Sequence, residues 1–342
     1  MVFFVVAPFF LAFIEVLTNR GIEERLWNIF SILFIIGLSH AIGSRCVGCM
    51  VYDDYANIYQ FQAEYLSKYG FTDFKEKVNG VTAEFFFYFL MWVVSNLLVK
   101  DYWLAGLSFY SILFLYLGLK NYFTSKETII IIALSSIGLS TQLIRQYIGW
   151  SFLFMSIVKI NNLRIQSLFV FLSFWIHHSS LILLLKSFIS RYSLKVILIS
   201  CFITLLFSSI IINKILTIDY YSITYLLSES PDSDIFNYNR SFMWRIILII
   251  PMLFIVSNFF KRYIVISIAL YFMLLNLPLI PVRFNLLLLS HGVGLLVILL
   301  IKRCNATKVY FLYLSLFIVI LYKLYFIHNS ENPLWESYNI FI

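Results

Sequence analysis

The stretch Thr141-Gln-Leu-Ile-Arg145-Gln-Tyr147 separates two apolar runs, Ile129–Leu139 and Ile148–Ile157. An arginine between two lipid-grade segments is costly, and the cost falls only where the guanidinium reaches water, a pore or a bound anion. Downstream, Trp175-Ile-His177-His178-Ser179-Ser180 breaks the run between Leu163–Phe174 and Leu181–Leu185 in the same way. Both interruptions have the form of places where chemistry is exposed, and the rest of the chain reads as their support.

Composition sets the expected class. Of 342 residues, 61% are hydrophobic and 12% charged, and mean hydropathy is +0.90. Soluble domains are about half apolar and about a quarter charged. Apolar runs of roughly 15–20 residues recur along the chain, which predicts an all-α, polytopic integral membrane protein of roughly nine to eleven segments, some of them broken or re-entrant. The ~10-residue alternating segments of a β-barrel are absent. Most Lys and Arg sit in short connectors, so the net charge of +8 reads as positive-inside bias; membrane lipids are expected partners and nucleic acid is not. The 36 Phe and 23 Tyr fit interfacial anchoring, or a groove for an isoprenoid or glycolipid. Cys46-Val-Gly-Cys49 has the spacing of a redox or zinc pair but no second ligand pair nearby in sequence, and no metal or cofactor is expected. Met1-Val-Phe-Phe lacks the basic region and cleavage site of a removed signal, so a first membrane helix is expected there.

In chain order, a single transmembrane domain over 1–342 is expected, with two larger extracytoplasmic loops at 43–82 and 213–240. Arg20 and Arg25 place the first connector on the cytoplasmic side. The alternation then fails to close. Counting Phe85–Val99 and Trp103–Leu119 as full spans leaves Lys120–Lys126 outside, whereas the downstream charges require it inside.

Candidate site residues follow from chemistry. Arg145 is either a snorkelling cation near a span end or, flanked by Gln142, Gln146 and Tyr147, a bidentate clamp on a phosphate or diphosphate. His177 and His178, beside Ser179 and Ser180, either mark an interface or supply a general base; neighbours on a helix point about 100° apart, so one of the two is expected to reach the site. Arg283, between Pro281 and a helix start, opposes the helix dipole unless an anion shares the site. Asp53, Asp54 and Glu84 are salt-bridge partners for Arg45 or acceptors for sugar hydroxyls. No Walker, Rossmann, HExxH or EF-hand pattern occurs, so ATPase, dehydrogenase and metalloprotease chemistry is not expected.

The ordered set Arg45…Gly48…Asp54-Tyr55, Glu84 leading into an aromatic run, Ile144-Arg145-Gln146, Ile176-His177-His178-Ser179-Ser180 and Val282-Arg283-Phe284 resembles the EpsG-like family of bacterial O-antigen and exopolysaccharide polymerases, the Wzy-type enzymes. The resemblance implies a multi-pass bacterial inner-membrane glycosyltransferase. It would polymerise undecaprenyl-pyrophosphate-linked repeat units into O-antigen, capsule or exopolysaccharide on the periplasmic face, with a separate chain-length regulator as partner. It implies Arg145, His178, Arg283 and Asp54 as catalytic, and Arg45, Asp53, Tyr55, Glu84, Gln146 and His177 as substrate-binding. An O-antigen ligase or other membrane transferase shares much of this chemistry, and a lipid-linked oligosaccharide flippase or transporter could line a cavity with arginine.

Overall fold

The structure is a computed structural model. It describes residues 2–18, 21–43, 59–77, 85–97, 102–135, 144–158, 162–177, 180–190, 192–207, 249–254, 258–275 and 294–303, with positions 210, 243, 246, 247, 285, 313–315 and 318. They form two compact units, Met1–Ser180 with Leu300–Ile340, and Leu181–Leu299 with Phe341–Ile342.

In the first unit the helices are α1 Val2–Thr18, α2 Glu24–Gly43, α3 Gln60–Lys77, α4 Phe85–Leu97, α5 Trp103–Leu119, α6 Ser125–Ser135, α7 Ile144–Val158 and α8 Leu163–Ile176. Helix α5 is the centre, packed by α2, α4, α6 and α7. Trp103, Leu104, Leu107, Ile112 and Leu115 of α5 and Phe34, Ile35, Leu38 and Ile42 of α2 are all buried. A Cβ at Gly43 would meet the backbone N and Cα of Ala105 at 2.6 and 2.7 Å. The two helices therefore cross at backbone contact, which only a glycine permits here. Phe114 of α5, Phe152 of α7 and Phe169 of α8 form an aromatic triangle with centroids 4.6–5.8 Å apart. Such stacking adds to the area that each ring buries.

Capping explains where α8 starts and stops. The Asn162 Oδ1 accepts from the amides of Arg164 and Ile165 at 3.0 and 3.4 Å, as an N-cap does. At the other end His177 turns extended (φ −158°, ψ 123°) while its amide still donates to the Ser173 carbonyl. Gly70 breaks α3 with φ +83°, a conformation that side-chain-bearing residues seldom adopt.

Contacts at the ends of α2 and α5 order the bundle. His40 stacks on Tyr102 at 5.7 Å, while at the opposite end of the same pair Lys120 meets Glu24 at 3.6 Å and Asn28. The helices are antiparallel, and the chain leaves α2 and enters α5 at one end. Helices α3 and α4 thus belong to an excursion that returns to its point of departure, held together by Phe71 against Phe85, Phe89 and Trp92, and by Phe74 against Tyr88. This is why Lys120–Lys126 shares an end with Glu24, the placement that counting spans did not give.

In the second unit, α9 Ser180–Ile189 (all but its first residue), α10 Leu194–Leu206, a 3-10 turn Ile250–Phe254 and α11 Asn258–Met273 are joined by residues 294–299. Ile249, Met252, Ile264 and Leu296 form a core with Leu253, Ile268, Leu295 and Leu299 against it. Ser193 caps α10 by accepting from the Val196 amide at 3.4 Å.

One expectation is corrected. Among the described residues a single helix, α2, with 20 residues, is long and apolar enough to cross a membrane; the other apolar helices, Val6–Thr18, Phe85–Leu97, Trp103–Leu119, Leu163–Ile176 and Leu194–Leu206, have 10–17 residues. A span needs about 20 residues to cross a hydrocarbon core of about 30 Å. The polytopic architecture of nine to eleven membrane segments, the transmembrane and multi-pass inner-membrane localisation, and the periplasmic orientation that depended on it, are not what these helices support. The physical reason is that composition counts apolar residues without their destination. Many of those that the structure describes are buried between helices. The 213–240 segment lies outside the described residues.

Candidate functional site

Arg145 is the second residue of α7, and its guanidinium lies over the Tyr59 ring, 5.4 Å from the centroid. A cation over an aromatic face gains electrostatic attraction and loses freedom, both of which aim it. Tyr59 is itself fixed: it is buried and meets Phe87 of α4 edge-to-face at 5.6 Å. Its neighbour Gln60 accepts from the Trp103 indole N–H at 3.3 Å and donates to the Glu64 carboxylate at 3.1 Å. Three helices, α3, α4 and α5, therefore hold the ring under Arg145. Gln146 and Tyr147, the next residues of α7, are buried, while Arg145 is half-buried.

His177 arrives at the same region from α8. The Ser173 hydroxyl donates to the Gly149 carbonyl at 2.7 Å in a buried contact. A Cβ at Gly149 would lie 2.9 Å from Ser180 Oγ, 3.3 Å from the Ser173 carbonyl and 3.4 Å from His177 Cβ. Gly149 is four residues beyond Arg145, so both sit on one face of α7, about 6 Å apart along its axis. The histidine corner thus packs one turn from Arg145. The turn that follows is closed by the Ser180 amide donating to the His177 carbonyl at 3.0 Å.

Of the candidate residues read from sequence, Arg145, Gln146 and His177 are brought together at this end. Arg45, Asp53, Asp54, Tyr55, Glu84, His178 and Arg283 lie outside the described residues. Among the described residues no group of three or more His, Cys, Asp or Glu is placed to hold a metal.

The EpsG family model matches residues 27–340, a range that contains every residue of this site. The chain belongs to the EpsG family. No curated protein and no solved structure matches it. Membership supports a general polysaccharide-polymerase role, enzymatic activity of that kind and glycan-related substrates.

Sequence reading of this EpsG-family chain missed the supports of the site. Tyr59, Gln60 and Trp103 carry no motif. Their only signal is that each stands at a helix start, Tyr59 and Gln60 at α3 and Trp103 at α5. Lys186 was missed too, although a lone lysine inside Leu-Leu-Leu-Lys186-Ser-Phe-Ile is the kind of residue that demands a partner.

The opposite end of the first unit is built for structure. Lys126 pairs with Glu15 at 2.7 Å and Lys302 with Glu127 at 3.1 Å. The Glu24 carboxylate accepts from the Ser125 amide and hydroxyl at 2.9 and 2.6 Å. Among the described residues the cations Lys120, Lys126 and Lys302 at this end each face a carboxylate.

Proposed function

We propose that this chain joins oligosaccharide repeat units carried on undecaprenyl pyrophosphate into a longer polysaccharide. The observation that carries the reading is Arg145, aimed by the Tyr59 ring, with the His177 corner one helical turn away. A sugar hydroxyl of one unit attacks the anomeric carbon of the other. The bond from that carbon to the diphosphate oxygen breaks, and undecaprenyl pyrophosphate leaves with the electron pair. Arg145 binds the diphosphate bidentately and stabilises the charge that gathers on it. One imidazole of His177-His178 takes the acceptor proton. Arg283 and Asp54 keep the catalytic roles that the resemblance gives them, and Arg45, Asp53, Tyr55, Glu84 and Gln146 the contacts to sugar and phosphate. A separate protein sets chain length.

The test is the purified full chain with synthetic undecaprenyl-pyrophosphate-linked repeat units. Growth of the glycan with one undecaprenyl pyrophosphate released per new linkage is expected. Transfer only to a lipid A-core acceptor would make the chain a ligase. Passage of the intact donor across vesicles without any released diphosphate would make it a flippase.

A further inference from the structure

We infer that Phe61, Tyr65 and Tyr69, an aromatic row along the first half of α3, form a saccharide-binding subsite that receives the sugar rings of a glycan beside Arg145. That the bound saccharide is a substrate rests on the function proposed above; that the row binds a saccharide does not.

The three residues stand at i, i+4 and i+8, and residues four apart share one face of a helix. Phe61 is 66% exposed and Tyr69 49%, with the half-buried Tyr65 between them. The rings of Tyr65 and Tyr69 meet at 4.6 Å. Behind them the buried Phe74 meets Tyr65 at 6.1 Å and Tyr88 of α4 at 5.3 Å. The Lys68 ammonium lies 5.0 Å from the centroid of the Tyr69 ring. The row stops at Gly70, where a φ of +83° breaks the helix. Beyond that kink Phe71 packs on Phe85, Phe89 and Trp92. The aromatic residues after the kink thus serve the contact with α4, whereas Phe61 and Tyr69 before it stay exposed.

One exposed ring needs no explanation, but a ring at each successive turn has a periodicity that a ligand can match. Four residues of helix rise about 6 Å, close to the length of one sugar residue in an extended chain. An aromatic face carries partial negative charge and attracts the C–H bonds along one side of a pyranose, while the tyrosine hydroxyls offer polar tips to its hydroxyls. Rings held from behind lose little freedom when a ligand settles on them. Charge argues against a lipid tail as the occupant. Glu64 and the exposed Lys68 interleave with the rings, and a charge facing hydrocarbon is costly. The row is also continuous with the site already described. Tyr59, the buried floor under Arg145, precedes Phe61 by two residues, so their Cα atoms lie within about 7 Å. A saccharide laid along the row therefore has one end beside the Arg145 floor.

The experiment uses the full chain as wild type, Phe61→Ala, Tyr69→Ala, the Phe61→Ala/Tyr69→Ala pair and Tyr69→Trp. The probes are the repeat-unit oligosaccharide freed from its lipid and diphosphate, its mono- and disaccharide fragments, and undecaprenol in detergent micelles. Wild-type affinity is expected to rise with each added sugar. Each alanine variant is expected to bind the oligosaccharide about 2- to 13-fold more weakly, the range of one aromatic contact, with an unchanged unfolding midpoint. Tyr69→Trp, which keeps a ring, is expected to bind as wild type does. In turnover the alanine variants should raise the KM for the acceptor glycan more than they lower kcat. A pair variant that binds the oligosaccharide as wild type does overturns the proposal. So does a loss seen with undecaprenol and not with the oligosaccharide, which would make the row a lipid surface. If the oligosaccharide binds in a row-dependent way but wild type builds no glycan, the polymerase reading fails and the subsite stands.

Discussion

The guanidinium carbon of Arg145 stands 5.4 Å from the centre of the Tyr59 ring, joining the head of α7 to the head of α3 across residues far apart in sequence. The ring is buried and backed by Phe87, so it acts as a fixed floor that aims the cation. Everything proposed for the site depends on that floor.

Tyr59→Phe keeps the ring and is expected to keep activity within about twofold, whereas Tyr59→Leu is expected to lose about 2- to 30-fold, the span of one cation–π contact. Replacing Tyr59 by phenylalanines of increasing fluorine content holds shape while draining the ring face of charge. Glycan growth should fall stepwise along that series, and the steps should vanish in an Arg145→Ala background. A flat series would reduce Tyr59 to packing.

Two glycines give a graded prediction. At Gly43 an added Cβ meets backbone atoms of Ala105 that cannot move alone, whereas at Gly149 the nearest atom is the Ser180 hydroxyl, which can rotate away. Gly43→Ala is expected to destabilise by about 1–3 kcal/mol, and Gly149→Ala by less. Gly149→Leu, too large for rotation to relieve, is expected to part α7 from α8 and abolish glycan growth. Denaturation midpoints and turnover of the three proteins check the order.

How far the sequence led can be judged at these same positions. The helical class was legible in the apolar runs, and the polar breaks that carry Arg145, Gln146 and His177 stand at helix ends. The span count was not. Phe85–Val99 and Trp103–Leu119 look alike as strings, yet α4 belongs to an excursion and α5 is the central helix; only the His40–Tyr102 and Gly43–Ala105 contacts separate them. Tyr59 and Lys186 were invisible for a related reason, since their roles come from partners 86 and 99 residues away, and no local spacing encodes those.

The ion pairs at the Glu15 end are expected to affect stability alone. Glu15 holds Lys126 at 2.7 Å and also accepts from the Ile22 amide at 2.7 Å. Glu15→Gln should cost about 1–3 kcal/mol, the scale for leaving a partly buried charge without its partner. Turnover per folded molecule should be unchanged, as measured by active-site-normalised rates. A change in donor KM would place this end in the catalytic machinery.

Lys186 sets a pH dependence whose sign is fixed. Burial lowers its folded value to about 7, against about 10.4 in the unfolded chain. Between those values the unfolded state binds more protons, so stability rises with pH through that window by up to about 1.4 kcal/mol per unit and is flat below it. The Tyr263 ring of α11 faces the amine, and burial raises its phenol above the ordinary value, leaving it neutral across the window. Urea titrations from pH 7 to 10 should show the slope in wild type and lose it in Lys186→Met. An equal slope in both would assign it elsewhere.

The most direct measurement is the surface polysaccharide of a strain lacking this chain, complemented with wild type or with Arg145→Ala at matched protein levels. Electrophoresis should show a ladder with wild type, and with Arg145→Ala only a single repeat unit, whose presence means that donor supply and transfer to the final carrier survive. A full ladder without this chain, or with Arg145→Ala, would contradict the account.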